Sequence, residues 1–319
     1  MLITFDKTAD LIHSGKLLHI AGSGELLKKL PKGNWIGGST EYFMEYDRCE
    51  VSGELLFVSQ FPYDNFKIKS YSAGDIKNVA EDAYDSGFSI VIVPFDSAVH
   101  IEYAENASGF KDMFIKNIAG WVAGMNLNKS EQTPITVNGT TGEVRADGAV
   151  ALHMETPSGK TVSINILNIF EQDESSPVIE FTKEGFSTEN CVINGSEVNL
   201  ATYLAESGLD TRLPLVGDYS GHGINISFKS VENGIVNFYA PVFKGIKYRI
   251  AKSIPSYEDE FIRQLSSHAD TESVFTCNCI LNFLYCNLEG KRVQAAGPIT
   301  FGKIAYQLVN QTLVYITVV

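Results

Sequence analysis

The chain has 319 residues, 44% hydrophobic and 20% charged, with a formal net charge of −13. That length admits one large domain or two ordinary ones, with a core that needs neither disulfides nor metal. The acidic balance excludes a nonspecific nucleic-acid binder, which needs clustered Lys and Arg against phosphate, and disfavours docking on an anionic membrane.

Residues 1–22 are punctuated by Asp6, Lys7, Asp10 and Lys16, so they do not form the apolar centre of a signal peptide. No later stretch approaches the ~20 apolar residues that span a bilayer. Two short helices, 8–14 and 24–30, are predicted around a strand at 17–21. A turn at Gly33-Asn34 runs into a strand through Trp35-Ile36-Gly37-Gly38-Ser39-Thr40. Strands follow at 54–61 and 66–71, the first rich in Leu, Phe and Val. Ile76, Val79, Ala80 and Ala83 have helical spacing and predict a helix over 73–86. The apolar run 88–94 reads as a buried central strand. A helix in two parts is predicted over 98–123. Strand signals with hairpin turns fill 132–170 and 177–198, among them Val137-Asn138-Gly139. Helices are expected at 200–207, ending at Gly208, and at 256–268, where Ser256 caps a run of Glu258, Asp259 and Glu260. Buried strands at 274–285 and 313–319 close the chain, with a helix or turn near 302–308. The mixture predicts an α+β fold of mixed and antiparallel sheets with helical layers, in two closely packed lobes, 1–205 and 206–319.

Few motifs carry chemistry. Gly22-Ser23-Gly24 joins a strand to a helix but lacks the third glycine of a dinucleotide loop. Gly37, Gly38, Ser39 and Thr40 offer either a bulge and cap or a place where a ligand meets the backbone, with two hydroxyls to bind it. Cys277-Asn278-Cys279 puts two thiols on one strand face. The second ligand pair of a structural zinc site is missing, so no metal or other cofactor is expected. Odd in number and scattered, Cys49, Cys191, Cys277, Cys279 and Cys286 are not a disulfide framework; they predict reduced thiols and a cytoplasmic protein. Asp218-Tyr219-Ser220-Gly221-His222 combines an acid, hydroxyls and an imidazole, and reads either as a polar turn or as part of a hydrolase site. Gly297-Pro298-Ile299-Thr300-Phe301-Gly302, with Asn310-Gln311-Thr312 beyond it, suits either turn capping or the rim of a polar pocket.

The order of these C-terminal segments resembles the FIST (F-box and intracellular signal transduction) sensory family. In that family a Phe-Ser-Cys-like strand, here Phe275-Thr276-Cys277, precedes a Gly-Phe-aromatic-Gly-Glu turn, here Gly297 to Lys303, and an Asn-x-Thr strand closes the domain. Trp35 to Thr40 looks like the family's N-terminal Val-Ile-Gly-Cys-Ser/Thr segment. Gly38 stands where many relatives have Cys, and Lys303 where the family has Glu. The resemblance implies a small-ligand-binding signalling module without a fused output domain. Its ligand would be a small polar or anionic metabolite such as an amino acid, and its output would pass through a separate signalling protein. The expected ligand-binding residues are Gly37, Gly38, Ser39, Thr40, Cys277, Gly297, Thr300, Phe301, Gly302, Lys303 and Asn310, facing a common cleft with Lys303 at its rim. A hydrolase using a Cys or the Asp218–His222 loop, and a protein-interaction scaffold, are the competing readings.

Overall fold

A computed structural model describes residues 1–129, 131–219, 222–267 and 272–319. The fold is α+β. Its organising feature is a strand–helix–strand unit that occurs three times. In the first unit Leu17–Gly22 and Trp35–Ser39 flank the short helix Gly24–Leu27. In the second, Gly87–Pro94 and Ile118–Ala123 flank the helix Ala98–Asn106. In the third, Phe275–Cys279 and Gly297–Thr300 flank the helix Ile280–Tyr285. Each pair of strands is parallel, as a connection through a helix requires.

Each parallel pair is the centre of its own six-stranded sheet, with antiparallel strands on both sides. The three sheets are linked by an exchange. After Ser39 the chain leaves the first sheet, and Tyr42–Met44 pairs with Gly297–Thr300 of the third. After Thr300 it leaves the third, and Gly302–Ala305 pairs with Ile118–Ala123 of the second. After Ala123 it leaves the second, and Thr136–Asn138 pairs with Trp35–Ser39 of the first. The three hand-overs form a closed cycle. The core follows from this: Trp35, Phe43, Ile90, Val91, Ile92, Trp121, Ile299 and Val314 are all at most 1% exposed.

Between the strand Val162–Leu167 and the third unit, an insertion forms a further six-stranded sheet and the three-stranded sheet of Gly185–Thr188, Ile235–Val242 and Phe228–Glu232. The division expected at 205/206 does not separate the sheets. Strands within 190–199, 215–226 and 248–250 share one sheet, and the last 45 residues complete sheets begun by the first 123.

Three expected segments are different. Over 73–86 only the 3-10 turn Ile76–Asn78 forms; Ile76, Val79 and Ala80 are buried without a continuous helix. The second half of 98–123 is a strand, because the parallel pair needs it. A Cβ at Gly120 would lie 1.8 Å from Val91 O, so glycine is what lets the two strands close. Residues 302–308, expected as a helix or turn, are two antiparallel strands joined by a tight turn at Tyr306. Conversely, 274–285 is a strand only to Cys279 and then the helix Ile280–Tyr285. No helix among the described residues is long and apolar enough to cross a membrane.

Candidate functional site

The expected site residues come together at the hand-over points. Ser39 Oγ donates to Gly124 O (2.7 Å), and Gly124 N–H donates back to Ser39 O (2.7 Å). Thr40 Oγ1 donates to Ile299 O (2.7 Å), and Phe301 N–H donates to Val122 O (3.1 Å). The N-terminal and C-terminal glycine-rich segments therefore meet, but through packing. All eleven residues are buried. A Cβ at Gly38 would lie 2.6 Å from Ile92 Cγ2 and 2.7 Å from Trp121 Cη2, so that glycine admits an indole, not a ligand. At Gly37 the neighbours would be Ile20 O and the Trp35 ring, both at 3.0 Å. Gly297 makes room for Thr276 O, which a Cβ would approach to 2.2 Å, and Gly302 for Val122. The Thr300 hydroxyl lies 3.2 Å from Asn278 O and 3.0 Å from Gly302 O. Cys277 Sγ contacts Gly120 O at 3.6 Å.

Lys303 is not at a rim. Its side chain is wholly buried, and Nζ finds no oxygen acceptor, the Cys279 thiol being the hydrogen-bonding side chain beside it. Burial pulls its pKa down, and the neighbouring Cys279 and Cys277 thiols oppose this only in part. Asn310, also fully buried, leaves both amide atoms unpartnered, and so does Thr312 with its hydroxyl. Each such group carries a desolvation cost of about 1–3 kcal/mol.

The open part of this region lies on the other side of Ser39. A cleft of about 520 Å³ is walled by Ser23, Lys28, Ser39, Glu41, Lys129 and Thr133, among others. Thr300, Phe301 and Lys303 are not part of its wall. Its floor is built around Glu41, which follows the hand-over residue Thr40 and is 3% exposed. Asn126 Nδ2 donates to Oε2 at 2.7 Å, and Gln132 Nε2 donates to Oε1 at 3.1 Å. Lys129 Nζ donates to both oxygens, at 3.1 and 3.3 Å. Burial alone would raise the Glu41 pKa; the hydrogen bonds from Asn126, Gln132 and Lys129 outweigh it and hold the carboxyl ionised, below its ordinary range. The carboxylate thus gathers Asn126, Lys129 and Gln132 around the residue that follows Thr40. Lys129, anchored at one face, stays 46% exposed at the other. Lys28, Glu25 and Glu131 complete a wall that carries both signs of charge. Sequence reading missed Glu41, Asn126, Lys129 and Gln132. Glu41 directly follows the Gly-Gly-Ser-Thr segment, but its partners lie about 90 residues on, beyond local pattern.

Most hydroxyls here are committed and the thiols are sealed, with Thr133 the exposed exception. Ser39 Oγ also accepts from Ile135 N–H (2.9 Å), and Ser23 Oγ donates to Gly53 O (3.1 Å). All five cysteines are buried free thiols. Burial pushes Cys277, Cys49 and Cys286 up to about 12 and Cys191 to about 11, so these are not nucleophiles. Of the Asp218–His222 loop, Ser220 and Gly221 lie outside the described residues. No group of three or more His, Cys, Asp or Glu able to hold a metal occurs among the described residues.

The profile of a family of unknown function, DUF6976, matches residues 3–319. The chain belongs to that family. The DUF6976 match spans all three strand–helix–strand units together with the insertion, so the cyclic arrangement lies wholly within it. No curated protein matches the chain.

Proposed function

We propose that the protein is a small-ligand-binding sensory module and that its ligand occupies the cleft over Glu41. The observation that carries this reading is the buried carboxylate held by three side-chain donors at the carboxyl end of a parallel strand pair. Open sheets bind ligands at such ends, where connections diverge. A fixed Lys129, free on one side, suits a ligand carboxylate, while Glu25 and Glu131 suit an ammonium group. A zwitterion of amino-acid size fits both signs. The FIST-like order of motifs supports the same reading, with the signal passing to a separate protein in the cytoplasm. At this site the hydrolase alternative would have to use the exposed Thr133 hydroxyl, since no thiol lines the cleft and the Ser23 and Ser39 hydroxyls are committed.

A thermal-shift screen of amino acids and small carboxylates tests it. A ligand at 100 times its dissociation constant adds about 2.7 kcal/mol, which for a chain of this length raises Tm by roughly 4 °C. Lys129→Met should abolish that shift, read against the free variant's own Tm, which falls by a few degrees because the 3%-exposed Glu41 loses its cation and keeps only Asn126 and Gln132. A hit whose shift survives both Lys129→Met and Lys28→Met would place the ligand elsewhere.

A further inference from the structure

A second cavity has different chemistry. It lies at the carboxyl end of Gly87–Pro94, between the helix Ala98–Asn106 and the three-stranded sheet of the insertion. Its volume is about 160 Å³, room for roughly five water-sized groups. Five aromatic residues line it, Phe95, His100, Phe186, Phe238 and Tyr239, with the Phe238 ring itself packed on Phe181 and Phe228. The His100 ring centroid lies 5.6 Å from that of Phe95 and 5.8 Å from that of Phe186. Asp96 supplies a carboxylate to the wall. Its backbone is held at φ +61°, a conformation a non-glycine residue adopts at a cost, and its N–H donates to His100 Nδ1 at 3.4 Å. His100 is thereby fixed with its proton on the other nitrogen. Burial pulls its pKa down to about 4, so it adds no positive charge near neutral pH. One cation already uses the box: Lys229 Nζ stands 5.5 Å over the Phe95 ring, at the end of an exposed side chain.

We propose that this aromatic pocket binds a small quaternary or methylated ammonium ion, with Lys229 as its built-in competitor. Ring faces and one carboxylate attract cations that shed water easily. A primary ammonium is strongly hydrated, so the lysine is a weak occupant that a methylated head displaces. The size matches a trimethylammonium head, and the site is independent of the cleft over Glu41.

Calorimetric titration of the full chain with choline, tetramethylammonium and 3,3-dimethylbutan-1-ol, the uncharged shape match of choline, tests the proposal. Choline should bind saturably, and the neutral analogue at least about tenfold more weakly. Asp96→Asn keeps the left-handed backbone accessible and should weaken choline about tenfold with little change in Tm. Lys229→Ala should tighten it about threefold or more. Equal binding of the neutral analogue, or weaker choline binding in Lys229→Ala, would overturn the proposal. So would the absence of saturable heat in both the natural protein and Lys229→Ala.

Discussion

Acidification from pH 7 to 4.5 should destabilise the fold by about 7 kcal/mol through three side chains, His19, His100 and His153. His19 is fully buried; Trp121 Nε1 donates to its Nε2 (2.8 Å), and Nδ1 has no partner. His153 is sealed between Tyr71 Oη, 2.9 Å from Nε2, and Ser89 Oγ, 2.7 Å from Nδ1. Burial lowers the three pKa values to about 3 for His19 and about 4 for His100 and His153. In the unfolded chain each returns to about 6.5. Below that value the unfolded state binds protons that the folded state refuses, so stability is full above pH 6.5 and falls with pH toward 4. The expected loss relative to pH 7 is about 4 kcal/mol at pH 5.5 and about 7 at pH 4.5, against a total stability of about 5–15 kcal/mol. Both tryptophans are buried, so their fluorescence reports unfolding in urea series at each pH. His153→Gln, which retains a donor and an acceptor, should remove about a third of the slope. A free energy of unfolding that changes by less than about 1 kcal/mol between pH 7 and 5 would refute the neutral burial of all three.

Two further outcomes follow from the core. Lys303→Met removes a buried amine that has no oxygen acceptor while keeping the side-chain length. It should raise stability by about 1–3 kcal/mol, roughly 2–4 °C in Tm by calorimetry; a fall in Tm would mean the amine is satisfied. Gly38→Ala drives a methyl into Ile92 and the rigid Trp121 ring, and should cost about 1–3 kcal/mol in chemical denaturation. An unchanged midpoint would show that the indole can move aside.

Elements whose fate depends on local pattern could be read from the chain. The apolar run 88–94 is the central strand Gly87–Pro94, and the helices Leu200–Ser207 and Tyr257–Ser267 stand where caps and spacing put them. Gly208 ends the first with a left-handed turn. What escaped local reading is what long-range pairing decides. Residues 118–123 fall in the second part of the expected helix 98–123, yet Ile118–Ala123 is a strand, with Gly120 fitting under Val91. The glycines at 37, 38, 297 and 302 suit either turns and bulges or the approach of a ligand. They make room for backbone, rings and aliphatic side chains, and sequence cannot tell a gap filled by Trp121 from one filled by a metabolite. Lys303 illustrates the same limit: a lysine beside a turn reads as a surface charge, and only the pairing of Gly302–Ala305 with Ile118–Ala123 buries it.

The threefold unit was invisible for a related reason. The helices within the units are 4, 9 and 6 residues long, and the second strands share little beyond small residues where the chain crosses between sheets. Each hand-over occurs at the carboxyl end of the second strand of a parallel pair. Ser23 and Ser39 follow or end the strands of the first unit and line the cleft over Glu41. Phe95 and Asp96 follow the leading strand of the second and line the aromatic pocket. At the third end a hydrogen-bonded chain runs from Asn278 through Asn282 and Tyr257 to Gln311. The insertion supplies Tyr257, and also Ser227, which donates to Gln311 (2.6 Å). The insertion thus covers the third end with Tyr257, which also lines a cavity of about 250 Å³, and walls the second with Phe186 and Tyr239. The first, walled by residues that precede the insertion, is the widest cleft of the three ends. A mobile occupant is best served by the widest end, which is where the buried carboxylate and its three donors stand.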